Sequence, residues 1–428
     1  MNKHIKLIAL WFLAINLFNP FLLSAQNDTT KKTISDVISD FDKIEHELGL
    51  SASAKFNDYC IKQYIGYRNN ENTFVNAKTK SIIYQIISTY LSFLGAYNEA
   101  LIYRDKESIN TVITSVQDSL YLLGLNKEDA FETISKMVDT VRIVMINEAH
   151  HIPQHRILST KLLNMLYEKG FRYFCAETLD NSDSTKDKNL NTRKYPIMKT
   201  GFYSMEPLYG DMIRQALKIG FTVVPYERSR LSTRDREIEQ AENIFQIFQN
   251  DPNAKVFVHC GYDHLTPRWM AGNFKKISGI RPLTINQTQM MEYSQPIYSC
   301  YFSQLVNTLY EFDKPIVLAD SNGNLALNYK RNFDVIIFNP PTKYIYDRPD
   351  WMAMNGYRKI FNLNEFNLDK INFVQAIFAD EDIDMAVPVD QTLVNNDNPV
   401  LFLPAGDFNL KFLDAEGNLV YKKLISMK

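Results

Sequence analysis

Three histidines and a glutamate fall within one short polar stretch of the chain. Residues 146–156 read INEAHHIPQHR and include Glu148, His150, His151 and His155, in a sequence that has only 7 histidines. A histidine polarised by a glutamate can deprotonate water for hydrolysis. Histidine and glutamate can also ligate a divalent metal that lowers the pKa of a bound water. Imidazole and carboxylate suit Zn, Mn, Co or Fe, and the sequence does not choose among them.

Other polar residues follow apolar, strand-like runs further along the chain. Glu177 ends FRYFCAE, Glu227 ends FTVVPYE, and His264 lies just beyond AKVFVHC, which itself contains His259. If these runs are parallel strands, their carboxyl ends meet at one edge, where open α/β sheets bind ligands. The predicted catalytic residues are Glu148, His150, His151, Glu177 and His264. The predicted substrate contacts are His155, Tyr226, Glu227, Arg228 and Arg236, and the candidate metal ligands are Glu148, His150, Glu177 and His264.

Each of these residues also has a purely structural interpretation. Glu227 can pair with the neighbouring Arg228, and His155 can be a helix-start residue on the surface. His259 lies inside an apolar run, where a hydrogen-bonded core histidine is as good an explanation as a ligand. Glu148 and His264 are placed in loops just past strands, where functional groups concentrate.

The elements that must position these residues lie in the middle of the chain. From residue 141, short β-branched runs alternate with helix-like segments such as ILSTKLLNMLYEKG and LYGDMIRQALKIG. This alternation is typical of a mainly parallel sheet with helices on both faces. We therefore predict an α/β catalytic domain over residues 139–365.

The flanking regions have different patterns. Residues 26–138 have apolar residues spaced at three and four, which predicts helices. Within them YLSFLGAYNEALIY resembles a tetratricopeptide hairpin and is a possible contact for a protein partner. Residues 366–428 contain short alternating runs separated by DED, NNDN and AEGN, which predict a small β-rich module similar to a β-sandwich.

Residues 1–25 have a basic start, an apolar run and a small-residue cleavage site, which predicts a signal peptide and export to the periplasm or beyond. No later run is long and apolar enough for a stable membrane insertion.

The net charge of -2 gives no reason to expect a nucleic acid partner. The 4 isolated cysteines do not form a disulfide framework, and we expect Cys175 and Cys260 to be buried thiols.

The stretch VMINEAHHIPQHRILSTKLLNMLYEKGFRYFCAE resembles the opening of the erythromycin esterase family, with a strand, a Gly-Glu-x-x-His turn, a helix and a strand that ends in Glu. It also resembles ChaN-type haem-binding proteins, whose turn reads Glu-x-His-Asp-x-Pro-x-His. The esterase spacing selects Glu148 and His151, whereas the ChaN spacing selects Glu148, His150 and His155. We favour the esterase spacing.

A second block, RDREIEQAENIFQIF followed by AKVFVHCGYDHL, resembles the esterase segment that carries a His-Asn-x-His turn. The GYDHL turn is also similar to one in Tiki-type proteases. In the esterase match His264 is the second histidine, Gly261 replaces the first, and Asn147 replaces the glycine before Glu148. The resemblance covers residues 141–351 and implies hydrolysis of an ester or lactone by water activated on a histidine that glutamates hold.

Four hypotheses remain open from the sequence. The leading one is a secreted hydrolase of a small-molecule ester or lactone. The resemblances also imply a haem-binding protein, with His150, Tyr226 or Tyr262 as the axial ligand, or a metal-dependent peptidase. The fourth is a non-catalytic surface protein whose flanking modules bind a partner.

Overall fold

The computed structural model describes residues 56–70, 77–106, 121–182, 186–227, 233–295, 298–326, 332–394 and 398–428. The signal peptide expected in residues 1–25, residues 26–55, 71–76 and 107–120 of the expected helical region, and Arg228 lie outside the described residues. The α-helices within the described residues are α1 Phe56–Asn70, α2 Ala77–Phe93, α3 Tyr97–Asp105, α4 Ala130–Met137, α5 Gln154–Glu168, α6 Leu190–Arg193, α7 Pro207–Ile219, α8 Thr233–Asn250, α9 Met270–Ser278 and α10 Tyr301–Leu309. The strands are β1 Asn126–Asp129, β2 Ile143–Glu148, β3 Tyr173–Asp180, β4 Thr222–Glu227, β5 Val256–Gly261, β6 Leu283–Asn286, β7 Ile316–Ala319, β8 Val335–Ile336, β9 Tyr344–Ile345, β10 Arg348–Pro349, β11 Lys359–Asn362, β12 Phe373–Phe378, β13 Asp390–Leu393, β14 Val400–Leu403, β15 Gly406–Leu413 and β16 Leu419–Met427.

A parallel sheet forms the centre of the described chain. Its 6 strands lie in the order β4-β3-β5-β2-β6-β8, and every pairing between them is parallel. β2 and β5 are buried along their whole length, because helices cover the sheet and its strands carry apolar runs rather than an alternation. The predicted α/β class and its parallel sheet are confirmed.

The first helices pack against this sheet. Side chains of α1, α2 and α3 join one hydrophobic cluster with residues of β2, β3, α5 and α7. Gly95 makes the turn of the α2–α3 hairpin at φ +77°, and a Cβ there would lie 2.1 Å from the Gln391 carbonyl oxygen. The hairpin is therefore fixed between the parallel sheet and the C-terminal strands.

One segment differs from its prediction. Residues 126–129, which the spacing of apolar residues placed in a helical region, form β1 and pair antiparallel with β7. β1 extends the chain along β7, and Asp129 then caps α4 by accepting a hydrogen bond from the Glu132 amide at 3.0 Å. Tertiary pairing outweighs the helical pattern here.

The C-terminal region is built from antiparallel strands, as predicted. The order β13-β12-β15-β16 forms a 4-stranded sheet, and β11 pairs with β14. Apolar side chains of the two sheets share one hydrophobic cluster that includes Leu401 and Leu403 from β14 and Phe408 and Leu410 from β15. Two layers around a common core are what a small β-sandwich requires.

The 4 cysteines are all free, and Cys175 and Cys260 are buried, as expected. None of the helices in the described ranges is long and apolar enough to cross a membrane.

Candidate active site

The carboxyl ends of β2, β3 and β5 bring the strand-end residues together. β2 pairs with β5 so that Glu148 lies opposite Gly261, and β3 pairs with β5 so that Ala176 lies opposite His259. Glu177 is the next residue of β3, which continues to Asp180, and it therefore lies beside the end of β5 rather than at the end of its own strand. The structure places Glu148 with His150 in one set of buried contacts and Glu177 with His264 in a second set, and the two sets approach each other beside Gly261 at the edge that the parallel sheet predicted.

The first half of the site is the Arg156 cluster, formed by Arg156, Glu148, Glu206 and His150. Arg156 lies in the first turn of α5 and donates to both oxygens of Glu148, at 2.6 Å from Nε and 2.7 Å from Nη2. Its Nη1 donates to Glu206 at 2.7 Å. Burial alone would raise the pKa of Glu148, but the Arg156 guanidinium outweighs it and holds that pKa well below its ordinary value. Glu148 is therefore a carboxylate at neutral pH.

Glu206 reaches this cluster because it caps α7. It immediately precedes Pro207 and accepts a hydrogen bond from the Tyr209 amide at 2.8 Å, which is the role of an N-cap carboxylate. Tyr97 of α3 donates its hydroxyl to the other oxygen of Glu206 at 3.0 Å. Burial raises the pKa of Glu206, with Arg156 opposing it.

His150 is the histidine that Glu148 supports. Its Nδ1 donates to Glu148 Oε1 at 3.0 Å, so the neutral ring carries its lone pair on Nε2. The ring stacks on Tyr203 with the centroids 3.7 Å apart and an interplanar angle of 13°. The esterase spacing placed His151 in this position, and the geometry is instead that of the ChaN spacing. His151 turns away from Glu148, and its Nδ1 lies 3.1 Å from the Tyr262 hydroxyl.

The second half is the Arg236 cluster, formed by Arg236, Glu177, Glu227, Glu237 and His264. Arg236 of α8 donates to both oxygens of Glu227 at 2.8 Å and to Glu177 Oε1 at 3.2 Å. His264 places Nδ1 2.8 Å from Glu237 and Nε2 3.3 Å from Glu177. Arg236 and Glu227, predicted as substrate contacts, are thus bonded to each other and are buried.

The charges of this cluster follow from its contacts. Burial would lower the pKa of His264, but Glu237 and Glu177 raise it to about 10, so the ring is an imidazolium at neutral pH. Burial would raise the pKa of Glu177, but His264 and the neighbouring cations lower it to about 2. Glu177 is therefore ionised, and His264 is protonated on both nitrogens.

Gly261 lets the two clusters meet. A Cβ on this residue would lie 2.6 Å from His150 Nε2 and 2.7 Å from Glu177 Oε2, closer than real Cβ atoms approach. Both atoms are buried, and neither has a hydrogen-bond partner among the residues that the structure describes. Buried polar atoms without a partner are costly, so two of them beside one glycine mark the point where the site has unused binding capacity.

A strained backbone aims Glu177 at this point. Thr178 has φ +80°, which is unfavourable for a β-branched residue, and the β3–β4 pairing shifts register between Ala176 and Asp180. The Thr178 hydroxyl accepts a hydrogen bond from the Tyr203 amide at 3.0 Å. One irregularity thus turns Glu177 inward and fixes the tyrosine that stacks on His150, which is typical of strain at functional sites.

A small pocket opens beside His150. Its empty volume is about 240 Å³, part of it open to solvent, and its walls are His150, His151, Tyr203 and Tyr262 from the α/β domain with Gln85, Thr89 and Arg104 from α2 and α3. Burial lowers the pKa of His151 well below its ordinary value, and Arg104 lowers it further, so His151 is neutral. The first helices therefore form one wall of the site.

The remaining predicted residues have structural contacts. His155 accepts a hydrogen bond from the Ala149 amide at 3.0 Å, and burial lowers its pKa to about 3. Tyr226 is buried and donates its hydroxyl to the His259 carbonyl oxygen at 3.1 Å. His259 lies 3.6 Å from Glu148 Oε2, and burial lowers its pKa to about 4. None of these three lines the pocket.

The described donor atoms do not fit a metal. No group of three or more His, Cys, Asp or Glu side chains in the described part of the chain is arranged to hold a metal ion. Arg156 occupies both oxygens of Glu148, and carboxylates occupy both nitrogens of His264. Of the axial ligands expected for a haem, Tyr226 donates its hydroxyl to the His259 carbonyl oxygen, whereas His150 and Tyr262 line the pocket.

Several residues of the site were missed in the sequence. Arg156 ends the INEAHHIPQHR stretch, and its signal is a cation one helical turn into the helix that follows the glutamate. Glu206 precedes a proline at a helix start, which is a capping signal rather than a catalytic one. Tyr203 and Glu237 carry no signal in the sequence, since only their neighbours in space give them a role. Asn147, in place of the motif glycine, donates to the Tyr262 carbonyl oxygen and so holds the two turns together.

No protein-family model matches the chain, and no curated protein matches it. Among solved structures, the type III effector HopBA1 aligns with 51% of this chain and 98% of its own, at 12% sequence identity and a TM-score of 0.33. A likeness of this size assigns neither a fold nor a function.

Proposed function

We propose that the chain is a secreted hydrolase of the erythromycin esterase-like type that activates water on His150 and cleaves an ester or lactone of a small molecule. The bond type and the export follow the sequence resemblance and the expected signal peptide. The assignment of His150 follows its contact with Glu148.

The observation that supports this proposal is the pair of unused acceptors beside Gly261. His150 Nε2 carries a lone pair because Nδ1 donates to Glu148, and Glu177 Oε2 belongs to an ionised carboxylate. Two acceptors at one point require a ligand with two donors, and water is the smallest such ligand. A water between them is oriented by Glu177 and deprotonated by His150.

In the proposed reaction, the proton and the two bonds that change are accounted for by the water, the ester and His150. His150 Nε2 takes a proton as the water oxygen forms a bond to the carbonyl carbon. When the tetrahedral intermediate collapses, the bond from carbon to the alkoxide oxygen breaks, and the same Nε2 returns the proton to that oxygen. Glu148, held ionised by Arg156, stabilises the imidazolium that forms in between. His264 and Arg236 hold Glu177 in place.

The test is hydrolysis of a panel of small esters and lactones by the wild type, His150→Ala and His151→Ala. We expect His150→Ala to lower kcat by about 10²–10⁴-fold, the usual contribution of a general base, and His151→Ala to lower it less. Thermal unfolding of each variant checks that the fold is retained. The proposal is wrong if the wild type hydrolyses none of the panel, with or without added divalent metal, or if turnover is indifferent to His150→Ala.

A further inference from the structure

The two adjacent histidines of the pocket are held by different kinds of partner. His150 is held by the carboxylate of Glu148, which can only accept, so its Nδ1 carries the proton and its Nε2 the lone pair. His151 places its Nδ1 3.1 Å from the hydroxyl of Tyr262, and a hydroxyl can donate as well as accept. Since the partner of one ring nitrogen determines what the other nitrogen can do, the two histidines can have opposite roles at the same site.

Tyr262 contacts both histidines. It follows Gly261 at the end of β5, and its ring packs edge-on against His150 with the centroids 5.2 Å apart and an interplanar angle of 83°. Its hydroxyl meets His151, and its carbonyl oxygen accepts from Asn147, which fixes the turn to the end of β2. The two histidines and Tyr262 all line the pocket. One tyrosine thus holds both rings at the same opening.

The proton of His151 belongs on Nε2. Burial lowers the pKa of His151 well below its ordinary value, and Arg104 lowers it further, so the ring is neutral and carries one proton. A phenolic O–H is a stronger donor than the N–H of a neutral imidazole, which favours donation from Tyr262 to Nδ1. Among the described residues the ring of His151 makes this one hydrogen bond, so Nε2–H is left for a ligand in the pocket.

We propose that His151 binds the carbonyl oxygen of the ester through Nε2–H and stabilises the negative charge that this oxygen gains when water attacks, with Tyr262 holding the ring in the tautomer that donates. This role rests on the proposed hydrolysis, in which His150 is the base, and supplies the donor that meets the developing charge. The hydrogen bond strengthens as the charge develops, so it favours the transition state over the bound ester. No proton leaves His151, because the oxygen only accepts the hydrogen bond and loses its charge when the tetrahedral intermediate collapses.

The kinetic test compares His151→Leu with His151→Gln on the ester of the panel that the wild type hydrolyses fastest. Leucine has no donor, so we expect kcat to fall about 10²-fold, as the loss of one oxyanion donor does, and KM to change by less than about threefold. The amide of glutamine donates, so His151→Gln should recover about 10-fold of that loss. Thermal unfolding checks that each variant is folded. Equal kcat in His151→Leu and His151→Gln, or wild-type kcat in His151→Leu, overturns the proposal.

The role of Tyr262 is tested by Tyr262→Phe, which keeps the ring against His150 and removes the hydroxyl. We expect kcat to fall about 5- to 10-fold, because either nitrogen of His151 can then carry the proton. Tyr421→Phe is the matched control, since the Tyr421 hydroxyl donates to the Asn367 carbonyl oxygen at 2.8 Å and the residue does not line the pocket. It should keep the wild-type kcat. Equal kcat in the two variants overturns the assignment of Tyr262.

A binding measurement separates this proposal from the proposed hydrolysis. Trifluoroacetophenone forms a neutral hydrate in water whose tetrahedral carbon resembles the intermediate, and its fluorine NMR signal reports binding to the full chain without turnover. We expect His151→Leu to weaken binding about 10-fold and His151→Gln to recover most of this loss, since one hydrogen bond has that effect. Binding with this dependence but no turnover of any ester refutes the hydrolase and retains the donor at His151. Absent binding, or equal binding by the wild type and His151→Leu, together with turnover that depends on His150, refutes the donor and retains the hydrolase.

Discussion

In the Arg156 cluster one guanidinium forms ion pairs with two carboxylates. In the Arg236 cluster a guanidinium and an imidazolium together form ion pairs with three. Each cluster leaves one buried atom without a partner in the described chain, His150 Nε2 in the first and Glu177 Oε2 in the second. The clusters differ in how they hold their charge. The Arg156 cluster depends on a group that stays protonated at any accessible pH, and the Arg236 cluster depends partly on a histidine.

This difference separates two kinds of control over one site. The Arg156 cluster fixes the orientation of His150 through Glu148, so its loss is expected to affect folding and proton transfer together. The Arg236 cluster fixes Glu177 through two independent cations, so either can be removed while the other remains. The predictions below test this division, from the largest expected effect to the smallest.

Removal of the Arg156 guanidinium should have the largest effect. Arg156→Met leaves Glu148 and Glu206 buried without their cation, and breaking a buried ion pair in this way costs about 3–5 kcal/mol of the free energy of unfolding. Urea denaturation measures the loss. We expect a smaller loss for Arg236→Met, because His264 still contacts Glu177 and Gln240 still donates to Glu227.

The control for both is Arg281→Met. Arg281 also pairs with a carboxylate, Asp334, but its side chain is 72% exposed. An exposed pair contributes at most about 1 kcal/mol. If Arg156→Met lowered the free energy of unfolding no more than Arg281→Met, the Arg156 cluster would not be needed to hold Glu148 and Glu206 in the fold.

The second largest effect is expected from Gly261→Ala, which places a methyl group between the two clusters. The Cβ of Gly261→Ala would lie 2.5 Å from His150 Cε1 and 2.7 Å from Glu177 Oε2, so one of the two side chains must move. We expect turnover to fall by about 10²-fold, as a displacement of about 1 Å can cause, and stability to fall by about 1–3 kcal/mol. Steady-state kinetics on the best ester of the panel measures the first, and urea denaturation the second.

Gly124→Ala is the matched control. Its Cβ would lie 3.4 Å from the Tyr121 carbonyl oxygen, which is an ordinary contact. Turnover should stay at the wild-type level in this variant. Full activity in Gly261→Ala would show that the approach of His150 and Glu177 is not needed for the reaction.

The pH dependence of stability should distinguish the two clusters. The pKa of His264 is raised from 6.5 to about 10, so its contribution is fully present below pH 6.5 and is lost as the pH rises through 10. His264→Gln removes this contribution, so the stability of the variant should change less than that of the wild type between pH 6.5 and 10. Urea denaturation at both pH values gives the two differences.

The Arg156 cluster makes no such alkaline contribution, because its guanidinium does not titrate in this range. On the acid side, burial lowers the pKa of His259 from 6.5 to about 4, so stability should fall as the pH decreases through that interval. Parallel pH curves for the wild type and His264→Gln above pH 6.5 would contradict the imidazolium assignment.

The smallest expected effect comes from relieving the strain at Thr178. Thr178→Gly removes the cost of φ +80° but also the hydroxyl that accepts from the Tyr203 amide. These terms oppose each other, so we expect the free energy of unfolding to change by less than about 1 kcal/mol. Turnover should fall several-fold, because Tyr203 no longer holds the His150 ring.

Lys194→Gly provides the comparison for the strain alone. Lys194 has φ +72° at the end of α6, is exposed and lies outside the site. Glycine removes the cost of the left-handed conformation, about 1–2 kcal/mol, and loses about 0.5–1 kcal/mol in chain entropy, so this variant should gain up to about 1 kcal/mol in the free energy of unfolding and keep its activity. Unchanged turnover in Thr178→Gly would show that His150 does not need the hydrogen bond from the Tyr203 amide to Thr178 for the reaction.

Much of the site was predictable from residue order because parallel strands impose a geometry. Once VRIVMIN, FRYFCAE and AKVFVHC are strands of one parallel sheet, Glu148, Glu177 and the turn with His264 must lie at the same edge. The helical pattern expected for residues 26–138 is wrong at residues 126–129, because β1 gains its stability from β7, which is about 190 residues away in the chain. Local periodicity contains no information about such a partner.

The sequence by itself determined the parallel sheet, the edge at which the chemistry gathers and the residue types available there, since apolar periodicity fixes elements and the chain direction fixes their ends. Only the tertiary structure decided between His150 and His151. Adjacent residues in a turn point in different directions, and which one meets Glu148 depends on Arg156 of α5, Tyr203 before α7 and Gly261 of β5. The same holds for the wall with Arg104, because packing of the first helices against the sheet brings it to the pocket.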